Sequence, residues 1–142
     1  MAALGLPLGE AASLETILAF AREHLLRERT APQTGILILD RCLLDLSAYA
    51  AVLGFSQTVL GLLDELMLVS LRQMSAVFYV PIAGENMETR TIHEDTPFRH
   101  RVAVEILQIA ARLALPLHEV PAAYPARLPA VLKRLAAEIG PS

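Results

Sequence analysis

The chain has no glycine loop ending in Gly-Lys-Ser/Thr, and it cannot have one. Its single lysine, Lys133, follows Leu132 near the C-terminal end. A phosphate-binding P-loop needs that sequence, because glycines let backbone N–H groups close around the phosphates while the lysine reaches the outer ones. Cysteine is as scarce as lysine. Cys42 stands alone, which excludes an internal disulfide and makes a reducing compartment the expectation. Tryptophan is absent and aromatics make up only 5% of the residues. Leucine and alanine fill the space instead, a composition that leans toward helix. A strong charge of one sign is missing too: the net charge is -3, and all but one of the twelve basic residues are arginine. That balance argues against nucleic acid held on a diffuse basic surface. It suits arginines placed singly for carboxylates or phosphates. His24, His93, His100 and His118 show no metal-ligand spacing, and no Ser-His-Asp or Cys-His arrangement can be read from spacing. The longest apolar stretch, Val59 to Leu71, is broken by Asp64-Glu65 and is too short to span a bilayer. The first ten residues lack the basic flank and apolar core of a signal peptide. The expectation is a cytoplasmic chain with neither membrane nor nucleic acid as partner.

What is present is a chain of 142 residues with 54% hydrophobic and 19% charged, enough for one domain (1–142) with a real core. Gly35 is followed by Ile36-Leu37-Ile38-Leu39, then Asp40-Arg41-Cys42-Leu43-Leu44-Asp45. A continuous apolar run of this length predicts a strand buried on both faces of a parallel sheet. The point where such a strand gives way to a helix is where open α/β sheets gather their ligands. Asp40 and Arg41 stand there as one anion and one cation.

Around this run the pattern alternates helix and strand. Ser13 can cap a helix whose apolar positions are Leu14, Ile17, Leu18, Ala21 and Leu25, ended before Pro32. A second helix follows Asp40-Arg41 through Leu53 and closes at Gly54. Ser56 caps a third, running to about Met74 with Leu60, Leu63, Met67 and Leu71 on one stripe. Strands are predicted at 36–40, 76–81 and 116–120, the second for its β-branched and aromatic content. Residues 84–97 are polar and read as a loop. A helix follows over 98–113 with Val102, Ile106, Ile109 and Leu113 inward. The last starts near Pro125 or Pro129 and buries Leu128, Val131, Leu132, Leu135 and Ile139. Strands alternating with helices predict an α/β fold with a parallel sheet and more helix than strand.

The ordered set Ile36–Leu39, Asp40-Arg41, Asp45, Ala48-Tyr49, Phe78-Tyr79-Val80-Pro81, Arg90 and Tyr124 to Arg127 resembles the NadR-like AAA family, the ribosylnicotinamide-kinase-like P-loop ATPases. Thymidylate kinases carry a related Asp-Arg-aromatic signature, with Cys42 here in place of the aromatic residue. The resemblance covers nearly the whole chain and implies a P-loop kinase-like sheet flanked by helices. It implies ATP and magnesium as cofactors, phosphoryl transfer to a small nucleoside- or nucleotide-like acceptor, and a P-loop strand upstream of the segment that begins here. That missing strand would lie between 36–39 and 77–80. Without it, the expectation is that those two strands close up and pair, giving a compact three-stranded parallel sheet.

The resemblance assigns catalytic roles to Asp40, which would support a magnesium-bound water, to Arg41, which would hold the acceptor, and to Arg90, a cover-loop arginine for the migrating phosphoryl group. Asp45, Tyr49 and Arg99 would contact substrate and Arg127 the cofactor. Each has a plainer reading. Asp40 can cap the next helix, Arg41 can pair with Asp45, Asp45 and Tyr49 can bond to each other, and a loop arginine is usually solvated. With no loop to cradle a triphosphate, the chain alone is expected to have no turnover. The alternative is a non-catalytic binding or interaction module that keeps the scaffold. A homo-oligomer, or a partner segment filling the missing strand, is compatible with either.

Overall fold

The computed structural model describes residues 5–7, 9–32, 34–82 and 96–139. After a short 3-10 turn at Gly9–Ala11 come α1 (Leu14–Thr30), α2 (Leu43–Val52), α3 (Gln57–Leu71), β1 (Val77–Tyr79), α4 (Thr96–Arg112), β2 (Leu117–Glu119) and α5 (Tyr124–Ile139). The class is α/β with helix dominant, as the composition implies. The sheet consists of two short parallel strands, with Val77 opposite Leu117 and Tyr79 opposite Glu119.

The helix boundaries follow local chemistry. Ser13 caps α1 in a capping box: its Oγ accepts from the Thr16 N–H at 3.2 Å, and Thr16 Oγ1 accepts from the Ser13 N–H at 3.3 Å. Ser56 caps α3 by accepting from the Val59 N–H. Gly54 ends α2 with φ +79, and the N–H groups of Gly54 and Phe55 return to the carbonyls of Ala51 and Ala50. This is a Schellman closure, and it needs a residue that tolerates the left-handed region. The same pair of bonds closes α4, from Ala114 to Ala111 and from Leu115 to Ala110. There the left-handed position is taken by Ala114 at φ +51.

The core sits where α2 is sandwiched. Its buried Leu43, Leu44 and Ala48 meet Met67 of α3 and Phe98, Val102 and Ile109 of α4. Leu63 and Met67 are the buried members of the predicted α3 stripe, as Val102 and Ile109 are of the α4 stripe. On α1 only Ile17 and Ala21 of the predicted stripe are buried, while Leu14 and Leu18 face solvent.

Two expectations fail here. Residues 36–40 form no strand, and β1 pairs with β2 alone among the described residues. The three-stranded closed sheet is therefore not formed. The run has no regular structure, with Ile36, Leu37 and Ile38 exposed at 73%, 52% and 83%. An isolated extended segment cannot satisfy its own N–H and C=O groups, so its β-branched composition has no effect without a neighbouring strand. Apolar content identified a segment suited to a buried strand, but burial depends on what lies alongside. The second failure is on α5. Leu128 and Leu132 are more than half exposed, although both were expected inward. Glu138 of this helix comes within 4.0 Å of His118 on β2. An apolar stripe on a helix stays wet wherever no other element covers it, and the pattern alone does not say what will lie alongside.

Candidate functional site

Arg41 has φ +68, one of two described non-glycine residues in the left-handed region. The other, Ala114, closes a helix, which accounts for its conformation. Arg41 closes nothing: it sits two residues before Leu43 begins α2, and Cys42 rather than Asp40 or Arg41 is the N-cap of that helix. A bulky residue held left-handed costs of order 1–2 kcal/mol, and strain of this kind gathers at functional turns. The plain capping reading of Asp40 is thereby overturned. Capping falls to the other carboxylate, since Asp45 Oδ2 accepts the Cys42 N–H at 2.9 Å. Asp45 is thus committed to holding the turn that presents Asp40 and Arg41.

Asp40 lines an open groove of about 400 Å³. One wall comes from the last two turns of α1 and its exit (His24, Arg27, Thr30 and Ala31), and the other from Leu37, Ile38, Leu39 and Asp40. Residues 24, 27 and 31 share a face because helical neighbours lie three or four positions apart. Sequence reasoning missed this wall. The available signal was the spacing of His24, Arg27 and Thr30 directly before Pro32, but polar residues on an exposed helix face are common. Thr30 Oγ1 is taken up by the Leu26 carbonyl at 2.8 Å. His24 Nε2 is buried, 3.1 Å from Glu28 Oε1, yet out of line for a hydrogen bond. That same carboxylate oxygen accepts from the buried Ser70 hydroxyl of α3. The chain Ser70–Glu28–His24 places the acid between hydroxyl and imidazole. The imidazole therefore cannot take the serine proton, and the trio ties α1 to α3.

The remaining expected residues are dispersed. Tyr49 is half-buried on α2 with its ring edge-on to Phe98, centroids 5.4 Å apart at 73°. Arg99 is half-buried beside Phe98 on α4, and Arg101 lies over the Phe98 ring at 5.6 Å. Arg127 donates from Nε to the Pro121 carbonyl at 3.4 Å and from Nη2 to the Ala122 carbonyl, fastening the start of α5 to the preceding loop. Arg90 lies outside the described residues. The structure thus brings Asp40, Arg41, Cys42 and Asp45 together in one turn and leaves Tyr49, Arg99 and Arg127 on separate elements. Among the described residues no cluster of His, Cys, Asp and Glu could hold a metal, and Asp40 is the only carboxylate lining the groove. No described helix is long and apolar enough to cross a membrane.

Cys42 sits in this turn, and burial, reinforced by the Asp45 charge, pushes its thiol from 9.0 up to about 11. A rise of that size leaves roughly a hundredfold less thiolate near neutral pH than in the unfolded chain. Alkylation by iodoacetamide should therefore be about a hundredfold slower in the folded protein than in urea, as followed by mass spectrometry. Because the folded value lies above the unfolded one, this thiol's contribution to stability is complete below pH 9 and declines as pH rises through 11. Rapid labelling of the folded chain at pH 7 would contradict the packing of the turn.

Comparison with protein-family models, with curated proteins and with solved structures returned no match for this chain.

Proposed function

We propose that this chain is the part of a P-loop phosphoryl-transfer domain that follows the phosphate loop, and that it is inactive without that loop. The observation that supports the reading is the state of residues 36–41. An apolar run outside any strand and exposed over Ile36–Ile38 leads into an Asp-Arg turn in which Arg41 is left-handed, while the parallel pair β1–β2 has an open edge among the described residues. Both features fit a parallel sheet that lacks a strand between them. In this reading ATP and magnesium are the cofactors and a small nucleoside- or nucleotide-like molecule is the acceptor. Asp40 would hold a magnesium-bound water, and Arg41 would orient the acceptor through its planar fork. Arg90 would meet the migrating phosphoryl group. Backbone amides and a P-loop lysine normally cradle the β- and γ-phosphates, and Lys133 cannot replace them.

The test joins a strand, a Gly-Lys-Ser/Thr loop and a helix ahead of Met1 and compares ATP binding calorimetrically with that of the 142-residue chain. Magnesium-dependent binding is expected only in the extended protein, and no turnover in the shorter one. Equal ATP binding by both, or none by an extended protein shown to be folded, would reject the reading. The second reading, a binding module without catalysis, is favoured by the open groove beside Asp40. It predicts a ligand for the short chain and no ATP dependence in either.

A further inference from the structure

Arg27 and Asp40 line the same groove, from opposite walls. Neither side chain has an ion pair or hydrogen bond among the described residues, and they do not pair with each other. Leu37 and Ile38 line the same groove and are each more than half exposed. Exposed Leu or Ile occurring singly is ordinary. Here the two adjoin opposite charges that no described residue neutralises, in one concavity. A groove with a few convergent polar groups and an apolar lining has the make-up of a small-molecule site. Its chemistry specifies both charges of the occupant and its body. A guanidinium fork takes a carboxylate, a lone carboxylate takes an ammonium, and the aliphatic wall takes a branched hydrocarbon body.

We propose that the groove between the end of α1 and residues 37–40 binds a small zwitterion with an aliphatic body, of the aliphatic α-amino acid class, with its carboxylate on Arg27 and its ammonium on Asp40. This inference does not rest on phosphoryl transfer, since it uses the side chains as they stand in the chain without a phosphate loop. An ion pair between the two walls would remove the need for such a ligand, but the groove keeps the charges unpaired. Water can solvate either charge, but it leaves Leu37 and Ile38 wet, and covering them is the gain that only the aliphatic body supplies.

The experiment titrates the 142-residue chain with L-leucine, following the methyl resonances of Leu37 and Ile38 and the side-chain signals of Arg27 by NMR. 4-Methylpentanoate, which lacks the ammonium, and isoamylamine, which lacks the carboxylate, are titrated in parallel. Leucine should shift the Leu37 and Ile38 methyls saturably. Each half-ligand should bind about tenfold more weakly, the loss of one charge contact being worth about that much in affinity. Arg27→Gln should weaken leucine and 4-methylpentanoate but not isoamylamine, and Asp40→Asn should do the reverse for the two half-ligands. Both positions are exposed, and an unchanged spectrum away from the groove would verify folding of each variant. No saturable shift with leucine would overturn the proposal, as would equal binding of leucine and 4-methylpentanoate or a leucine titration unchanged from the parent in either variant. Failure here leaves the ATP experiment untouched. Conversely, saturable leucine binding alongside an extended protein that ignores ATP would retain this site and remove the phosphoryl-transfer reading.

Discussion

Phe98→Ala is expected to destabilise the chain by about 3–5 kcal/mol, as for other fully buried aromatic truncations. Phe98 is 1% exposed and holds three elements together. It belongs to the cluster that includes Leu43, Leu44 and Ala48 of α2 and Met67 of α3. Its ring meets Tyr49 edge-on, and the Arg101 guanidinium covers it at 5.6 Å. Removing it leaves a cavity between α2 and α4, where the close packing of Leu44 and Ala48 limits collapse. Domains of this kind are stable by only about 5–15 kcal/mol, so the loss is a large fraction of the total. Phe98→Leu keeps most of the apolar volume and should cost about 1.5 kcal/mol or less. Leu132→Ala, on the exposed face of α5, should change stability by about 0.5 kcal/mol at most. Urea midpoints at constant slope measure all three. A loss below about 1 kcal/mol for Phe98→Ala would mean that α2 and α4 are not packed as described.

The second large effect concerns chemistry and requires the protein supplied with a phosphate loop. On the phosphoryl-transfer reading, Asp40→Asn should there lower the rate by roughly a hundredfold or more, because it would remove the charge proposed to hold a magnesium-bound water while keeping the side chain's shape. Stability should be spared, since Asp40 is exposed and caps no helix. Arg41→Lys should also lose activity, a point charge being a poor substitute for a planar fork. Single-turnover kinetics with labelled ATP separate these effects from binding. If both variants keep the parent rate, Asp40 and Arg41 are reduced to parts of a turn.

Much of this was legible in the residues. Ser13, Gly54 and Ser56 announced their helix ends because capping depends on neighbours a few positions away. The parallel relation of 76–81 and 116–120 followed from alternation with helices, although only the central residues of each pair up. The apolar pattern of 36–40 predicts a strand and the structure has none there, because strand pairing depends on a distant neighbour that the local pattern does not contain. The turn at Asp40-Arg41 stands out in the sequence, but the capping offered as the plainer role of Asp40 belongs to Asp45, whose own plainer expectation was pairing with Arg41 or Tyr49. Position three of the helix favours an acid that bonds back to the cap N–H, and that describes Asp45. The α1 wall of the groove was invisible, since nothing in His24, Arg27 and Thr30 distinguishes a groove wall from a wetted helix face until the returning chain lies opposite.

The central proposal is that residues 36–39, which form no strand in this chain, become one only when a neighbouring strand is supplied. Amide hydrogen exchange of Leu37, Ile38 and Leu39 tests it most directly, measured in the 142-residue chain and in the protein carrying the added strand and phosphate loop. The account predicts near-unprotected exchange in the first and protection comparable to Val77–Tyr79 in the second. Strong protection in the short chain, or none in a folded extended one, would contradict it.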